Sequence, residues 1–401
     1  STAAPLEDAA AGVSNWGALQ ALNTLRAHRS PAWLQGLAGG EGAFGGNLQT
    51  IVSARLSRAD GDIRPRWQRQ RWTTPDGDFI DVDFAAPATP ASAREPTALQ
   101  ARPRLVLFHG LEGSSASHYA RSFASAALER GWAVAVPHFR GCSGELNLGP
   151  RAYHSGDFEE IGWILGRLRA RWNGEPASPG TDAASAPAGA LHAVGISLGG
   201  NALLRWAQEA GESASANTRS IAAISSPIDL AAGGHAISEG FNRWVYTRMF
   251  LATMKPKALR KWQQHPGLFD RERLRAARTL YEFDNVFTAP LHGFKDTDDY
   301  WSRASARPHL HRIRVPALVL NARNDPFVPA ASLPAAGSVG GPWVQLVQPG
   351  HGGHLGFASG GVPGDVLPFA RTVCNWLAHC DVDSRLSLIH ISEPTRLRRI
   401  S

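Results

Sequence analysis

Cysteine is nearly missing from this chain of 401 residues. It has three, Cys142, Cys374 and Cys380. Three cysteines make no disulfide framework, and none of them are paired at a metal-binding spacing. A reducing compartment is expected, with the fold resting on its core alone. No H-E-x-x-H or equivalent pattern occurs, so neither a metal nor another cofactor is implied. No apolar run approaches the length of a membrane span. There is no internal repeat, and no targeting segment is visible. Lysine is scarce, and arginine supplies most of a net charge of +7. The basic residues are scattered, as in Arg64, Arg66, Arg69 and Arg71, or Arg167, Arg169 and Arg171. No nucleic-acid-binding motif accompanies them, so they read as solvated faces and no nucleic-acid partner is expected. Weak peripheral attraction to anionic lipid headgroups stays open. The expected location is the cytoplasm, with or without contact at the inner membrane.

What the chain does have is glycine, 41 residues of it, and a hydrophobic content of 43%. That is the composition of a globular protein with one large α/β domain or two smaller ones. Residues 1–60 are weakly patterned: helical spacing over Asn15–Arg26, then a Gly-rich apolar stretch, Pro31–Ile51, expected as ordered loop and short helix. Strands are predicted at Arg66–Thr73 and Phe79–Phe84, joined by the Pro75-Asp76-Gly77-Asp78 turn. A Pro/Ala/Ser linker runs over Ala86–Pro103. Strands and helices then alternate, as in a mostly parallel sheet flanked by helices. Strands fall at Leu105–Phe108, Ala133–Pro137, Leu191–Ile196, Ile221–Ser225, Ala317–Asn321 and Val344–Val347. Helices fall at Ser117–Arg130, Asp157–Trp172, Asn201–Glu209 and Val362–His379. Asn173–Ala190 is low-complexity and expected as a surface loop. Residues 228–312 break the rhythm and read as a helical cap inserted between core segments 61–227 and 313–385. The last stretch, residues 386–401, resembles a translated sequencing adapter. It is excluded from fold reasoning, and is expected to pack on nothing.

The chemistry sits in LHAVGISLGGNALLRWA, residues 191–207. An apolar strand feeds Ser197 inside G-x-S-x-G, Gly195–Gly199, and a helix follows at once. Strand, sharp turn and helix make a nucleophile elbow, the mark of an α/β-hydrolase fold. A chain this rich in Gly and Ser carries roughly a third of one such motif by chance, so its partners must support it. A serine hydroxyl needs a base and an orienting acid, in the order Ser, Asp or Glu, His. Asp325, in the polar loop after the strand of PALVLNARNDPFVP, is the candidate acid, with Asp229 as alternative. His354, in VQLVQPGHGGHLGF, is preferred over His351 as the base. An oxyanion hole needs two backbone N–H donors. Leu198, after the serine, offers one. Leu111 in FHGLEGS offers the other, ahead of Glu112, with His109 expected to hold that loop by a hydrogen bond. Within the cap, Phe287, Leu291 and Phe294 of FDNVFTAPLHGF are candidate substrate-pocket residues among many aromatics that serve ordinary packing.

At these residues a family resemblance appears. GNLQTI, TTPDGDFIDVDF, LFHGLEGSSASHYARSFASAALERGWAVAVPHFRGCSGE, GISLGGNALLRW, FDNVFTAPLHGFKDTDDYW, PALVLNARNDPFVP and GGHLGF run in order from Gly46 to Phe357. The chain resembles the YheT-like branch of α/β-hydrolases, which is similar to mammalian abhydrolase-domain lipases and esterases. The resemblance implies ester hydrolysis, with Ser197, Asp325 and His354 in the roles already assigned by position. The expected substrate is a small ester or lipid of short or medium acyl length, such as a monoacylglycerol. A thioesterase or acyltransferase using the same triad, and a non-catalytic binding module on the same fold, are the alternatives.

Overall fold

The computed structural model describes residues 6–38, 43–88, 102–172, 189–335, 337–339 and 341–380. The tail 386–401 lies outside them, as do most of the 86–103 linker and the 173–190 stretch. Three helices come first: α1 (Leu6–Arg26), α2 (Ala32–Ala38) and α3 (Ala43–Arg55). A hairpin follows, β1 (Gln68–Thr73) and β2 (Phe79–Ala85). Alternating elements then run β3 (Arg104–Phe108), α4 (His118–Glu129), β4 (Ala133–Pro137), α5 (Phe158–Trp172), β5 (Leu191–Ile196), α6 (Leu198–Ala210) and β6 (Ser220–Ile224). β7 (Ala317–Leu320), β8 (Val344–Val347) and the closing helix complete the core.

One eight-stranded sheet results, in the order β1-β2-β4-β3-β5-β6-β7-β8. β1, β2 and β4 pair antiparallel, and every pairing from β4 through β3 to β8 is parallel. Parallel strands are buried on both faces, which is why these strands are short continuous apolar runs. Leu105 and Leu107 of β3, with Val194 and Ile196 of β5, join the core layer that includes α1 and α4 residues such as Leu22 and Phe123. Val106, Phe108 and Ala193 point the other way, to Ile161 and Leu165 of α5 and Leu203 of α6. Full burial of such a side chain contributes roughly 1.5–3 kcal/mol, so these two layers dominate the stability. After β3 the chain places β4 on one side, then returns to place β5 on the other. The crevice at the carboxyl ends of β3 and β5 is therefore a topological switch point, where open α/β sheets bind ligands.

Between β6 and β7 the chain is almost wholly helical. α7 (Leu230–Ile237) leads into a run from Gly240 to Gln264 that contains a π-helical turn, Arg243–Thr247, and then α8 (Arg248–Gln264). A second π-helical turn, Asp284–Thr288, precedes α9 (Thr297–Ala304).

Two segments differ most from expectation. The Gly-rich segment 31–51 is more helical than its composition suggests, because α2 and α3 occupy most of it. The closing helix, α10 (Leu367–His379), starts five residues later than Val362. Residues before it are held in extended pairing: Asp365 bridges both Arg58 and Ser359. The Asp365 carboxylate then accepts from the Leu367 N–H at 2.8 Å and caps the helix start.

Candidate active site

Ser197 occupies the turn between β5 and α6 with φ +51° and ψ −117°, a conformation L-residues rarely adopt. The turn is possible because Gly199 has no side chain: a Cβ there would lie 2.5 Å from the carbonyl oxygens of Phe108 and His109. The strained turn leaves Ser197 partly exposed at the carboxyl edge of the sheet.

His354 comes from the loop after β8. Its Nε2 lies 3.0 Å from Ser197 Oγ. Its Nδ1 lies 2.9 Å and 3.2 Å from the two oxygens of Asp325. The carboxylate can only accept, so Nδ1 carries the proton and Nε2 is left to accept from the serine hydroxyl. Asp325 is held from behind by the N–H groups of Phe327 at 2.8 Å and Val328 at 3.3 Å. The Phe327 ring packs on His354 with centroids 4.3 Å apart, and so limits the imidazole's rotation. The alternatives fall elsewhere. Asp229 caps α7 through the Ala232 N–H and pairs with Arg307. His351 is buried beside His28.

The amides of the loop after β3 sort themselves by partner. Gly110 N–H donates to the Tyr119 hydroxyl, Glu112 N–H to the Tyr153 hydroxyl, Gly113 N–H to the Gly110 carbonyl and Ser114 N–H to the Ser117 hydroxyl. Leu111 alone in that run has no acceptor among the described residues. The Leu198 N–H, at the first position of α6, has none either, since a helix's first amides lack intrahelical partners. Both residues line the cavity beside Ser197. His109 fixes the loop: Nδ1 donates to the Gly110 carbonyl at 2.7 Å, and Nε2 accepts from Phe139 N–H at 3.0 Å. Burial pushes this imidazole down to about 3, so it stays neutral in that role.

The sequence reading missed the support of the histidine loop. Thr50 Oγ1 accepts from the His354 N–H at 2.8 Å and donates to the Gly46 carbonyl at 2.7 Å. Gln49 Oε1 accepts from Gly352 N–H and from Asn324 Nδ2, while Asn324 Oδ1 accepts from Gly353 N–H. Helix α3 thus ties the loop of His354 to the loop of Asp325. Its close approach depends on Gly46, where a Cβ would stand 1.8 Å from the Asn324 carbonyl oxygen. The signal was available in GNLQTI, which carried the resemblance without a role.

Ser197 opens into a cavity of about 170 Å³ whose walls are mainly apolar. Leu230, Phe250, Met254, Phe283 and Phe287 supply much of that surface. Phe287 lines it, but Leu291 and Phe294 do not. The wider π-helical turn swings Asp284, Phe287 and Thr288 inward. Leu291 packs instead in the cluster of Leu251 and Leu274, and Phe294 stacks near His154 and Tyr300 beneath Arg303. The charged groups of the lining were also missed, among them Glu112, Lys257 and Asp284. Glu112 pairs with Lys257 of α8 at 2.9 Å. Asp284 accepts from Thr288 Oγ1 and Trp301 Nε1, and burial raises its carboxyl to about 6. Among the described residues no three His, Cys, Asp or Glu side chains gather as a metal site would require.

A parallel sheet with a serine elbow at its switch point, and a His–Asp pair delivered from the last two strand loops, defines an α/β-hydrolase-class chain. Comparison with known proteins narrows the class. The family model described as X-Pro dipeptidyl-peptidase (S15 family) matches residues 76–350. YheT of Escherichia coli (strain K12) is 37% identical over 82% of this chain and 89% of its own. Phospholipase ABHD3 of Mus musculus is 29% identical over 65% of this chain, which spans 59% of ABHD3's length. Monoacylglycerol lipase ABHD2 of Homo sapiens is 25% identical, covering 82% of this chain and 78% of its own. The chain belongs to the α/β-hydrolase family that the S15 model describes, in its YheT-like branch.

Proposed function

We propose that this protein hydrolyses carboxylic esters, with Ser197 as nucleophile, His354 as general base and Asp325 as the acid that orients it. The observation carrying this reading is the unbroken hydrogen-bonded chain from Ser197 Oγ through the imidazole to the Asp325 carboxylate. Ser197 Oγ bonds to the acyl carbon as its proton passes to His354 Nε2. Asp325 stabilises the imidazolium through Nδ1. The Leu111 and Leu198 N–H groups receive the oxyanion. The tetrahedral intermediate collapses, His354 protonates the departing alkoxide, and the acyl group stays on Ser197. Water, deprotonated by His354, then attacks the acyl carbon and releases the acid, returning the proton to Ser197.

The apolar walls and modest cavity volume favour short or medium acyl esters and monoacylglycerol-like lipids, in keeping with the relatives' names. Residues 228–312 act as the cap over this cavity, 61–227 and 313–385 as the catalytic core, and 1–60 as an extension that braces the histidine loop. The thiols Cys142 and Cys374 suit a cytoplasmic location. A fluorophosphonate probe tests the assignment. It is expected to label Ser197 in the wild type and nothing in Ser197→Ala, which should also lose turnover of p-nitrophenyl butyrate with an unchanged melt. A cooperatively folded wild type that does not label would refute it. An acyl-length panel with water and alcohol acceptors separates hydrolysis from acyl transfer.

A further inference from the structure

The helical run from Gly240 to Gln264 has an unusual charge pattern. It contains six basic residues, Arg243, Arg248, Lys255, Lys257, Arg260 and Lys261, and no acidic one. The lysines face inward or to neighbours. Lys257 pairs with Glu112, Lys261 Nζ donates to the Asn147 and Gly149 carbonyls, and Lys255 Nζ to those of Arg275 and Ala277. The three arginines are exposed, and none has an ion-pair partner among the described residues. Beside them three large apolar side chains stand in solvent. Trp244 is 69% exposed, Phe241 47% and Met249 44%. Single exposed apolar residues are ordinary on a protein surface. Here three occur within nine residues, on one helical run, interleaved with uncompensated cations. Basic residues alternating with Trp and other apolar groups on one helix face fit a helix lying in a lipid interface.

We propose that the outer face of Gly240–Gln264 docks on an anionic lipid bilayer. Phe241, Trp244 and Met249 enter the headgroup boundary, and Arg243, Arg248 and Arg260 meet lipid phosphates. Charge complementarity favours this occupant over a second copy of the chain, whose own cationic face would repel it. The opposite side of the same run, through Phe250, Met254 and Ala258, forms part of the cavity wall. Docking would therefore place the cavity about one helix diameter, ~10 Å, from the bilayer surface. This inference goes beyond the hydrolase reading and does not depend on it.

The test sediments the full chain with vesicles of phosphatidylcholine alone, or of equal parts phosphatidylcholine and phosphatidylglycerol. Folding of each sample is checked by a cooperative melt. The wild type should pellet with the anionic vesicles and stay in solution with the neutral ones. Raising salt from about 0.1 to about 1 M, which shortens the screening length from roughly 10 to 3 Å, should release it. Replacing Arg243, Arg248 and Arg260 by Ala should weaken binding by roughly fivefold for each arginine removed. Trp244→Ala should also lower the bound fraction. Hydrolysis of soluble p-nitrophenyl butyrate by the same samples should not change. A folded wild type that fails to pellet with anionic vesicles overturns the proposal. So does unaltered pelleting of the triple variant, or a Trp244-dependent dimer on size exclusion without vesicle binding. Vesicle binding by a protein inactive on butyrate would sustain docking and count against the hydrolase reading alone.

Discussion

Thr50 lies in α3, ahead of the first strand of the sheet, yet its substitution should damage turnover more than substrate binding. Thr50→Val keeps the side-chain shape and removes the hydroxyl. The His354 N–H, 2.8 Å away, then loses its acceptor, while the Gly46 carbonyl, 2.7 Å away, keeps only its helical bond from the Thr50 backbone N–H. A buried polar group left unsatisfied costs about 1–3 kcal/mol, so destabilisation on that order is expected if the loop stays put. If the loop moves instead, His354 moves with it. The Nε2–Oγ contact of 3.0 Å has little slack, and an error of about 1 Å in such a contact can cost about 100-fold in rate. Movement of the loop is the expected route, and should lower kcat on p-nitrophenyl butyrate by about 10- to 100-fold, with KM within about twofold, because Thr50 is absent from the cavity lining. Rates are taken per active site, counted by fluorophosphonate labelling, so that unfolded protein does not enter. Thr50→Ser restores the hydroxyl and should recover most of kcat. A Thr50→Val protein with a lower melting temperature but wild-type kcat per labelled site would refute the positioning role and leave a purely structural one.

Asp325→Asn should reduce kcat by about 10³- to 10⁴-fold while the fold persists, because the amide favours the wrong imidazole tautomer. A loss under tenfold would speak for another acid. Phe287→Ala should shift the preferred acyl length upward, whereas Phe294→Ala should leave it unchanged, since only Phe287 lines the cavity; a panel of p-nitrophenyl esters reads both. Asp284 should make the protein less stable as pH rises. Burial raises its carboxyl from 3.8 to about 6, so its favourable contribution is complete below about 4 and lost as pH passes about 6. The difference corresponds to ~3 kcal/mol, and Asp284→Asn should remove that slope from melts recorded between about pH 4 and 8; an unchanged slope would show that Asp284 is not buried as a carboxyl.

Most of the parallel strands were legible because they are short apolar runs closed by turn residues. Ala133–Pro137, Leu191–Ile196 and Val344–Val347 have the predicted ends. Legibility of the site followed from topology. In a parallel sheet every loop after a strand's carboxyl end reaches the same edge, so Ser197, Asp325 and His354 could be placed by chain order alone. The same logic left the proposed oxyanion donor between Leu111 and Glu112 open. Only the Tyr153 hydroxyl, which takes the Glu112 N–H from 41 residues away, separates them.

What stayed hidden did so for two physical reasons. The segment between β6 and β7 contains two π-helical turns, and each adds a residue to the local repeat, so a face read at 3.6 residues per turn slips beyond it. That slip is what carries Phe287 into the cavity and leaves Leu291 and Phe294 in the packing behind it. The bracing of His354 is hidden differently. Thr50 and Gln49 act through side-chain bonds to backbone amides about 300 positions away. Such bonds impose no hydrophobic period, since the donor amide belongs equally to every residue type. Their one local trace is Gly46, where the absence of a side chain lets the helix meet the Asn324 carbonyl. A glycine inside a helix weakens it by roughly 0.5–1 kcal/mol relative to alanine, and here that cost accompanies a contact holding the Asp325 and His354 loops together.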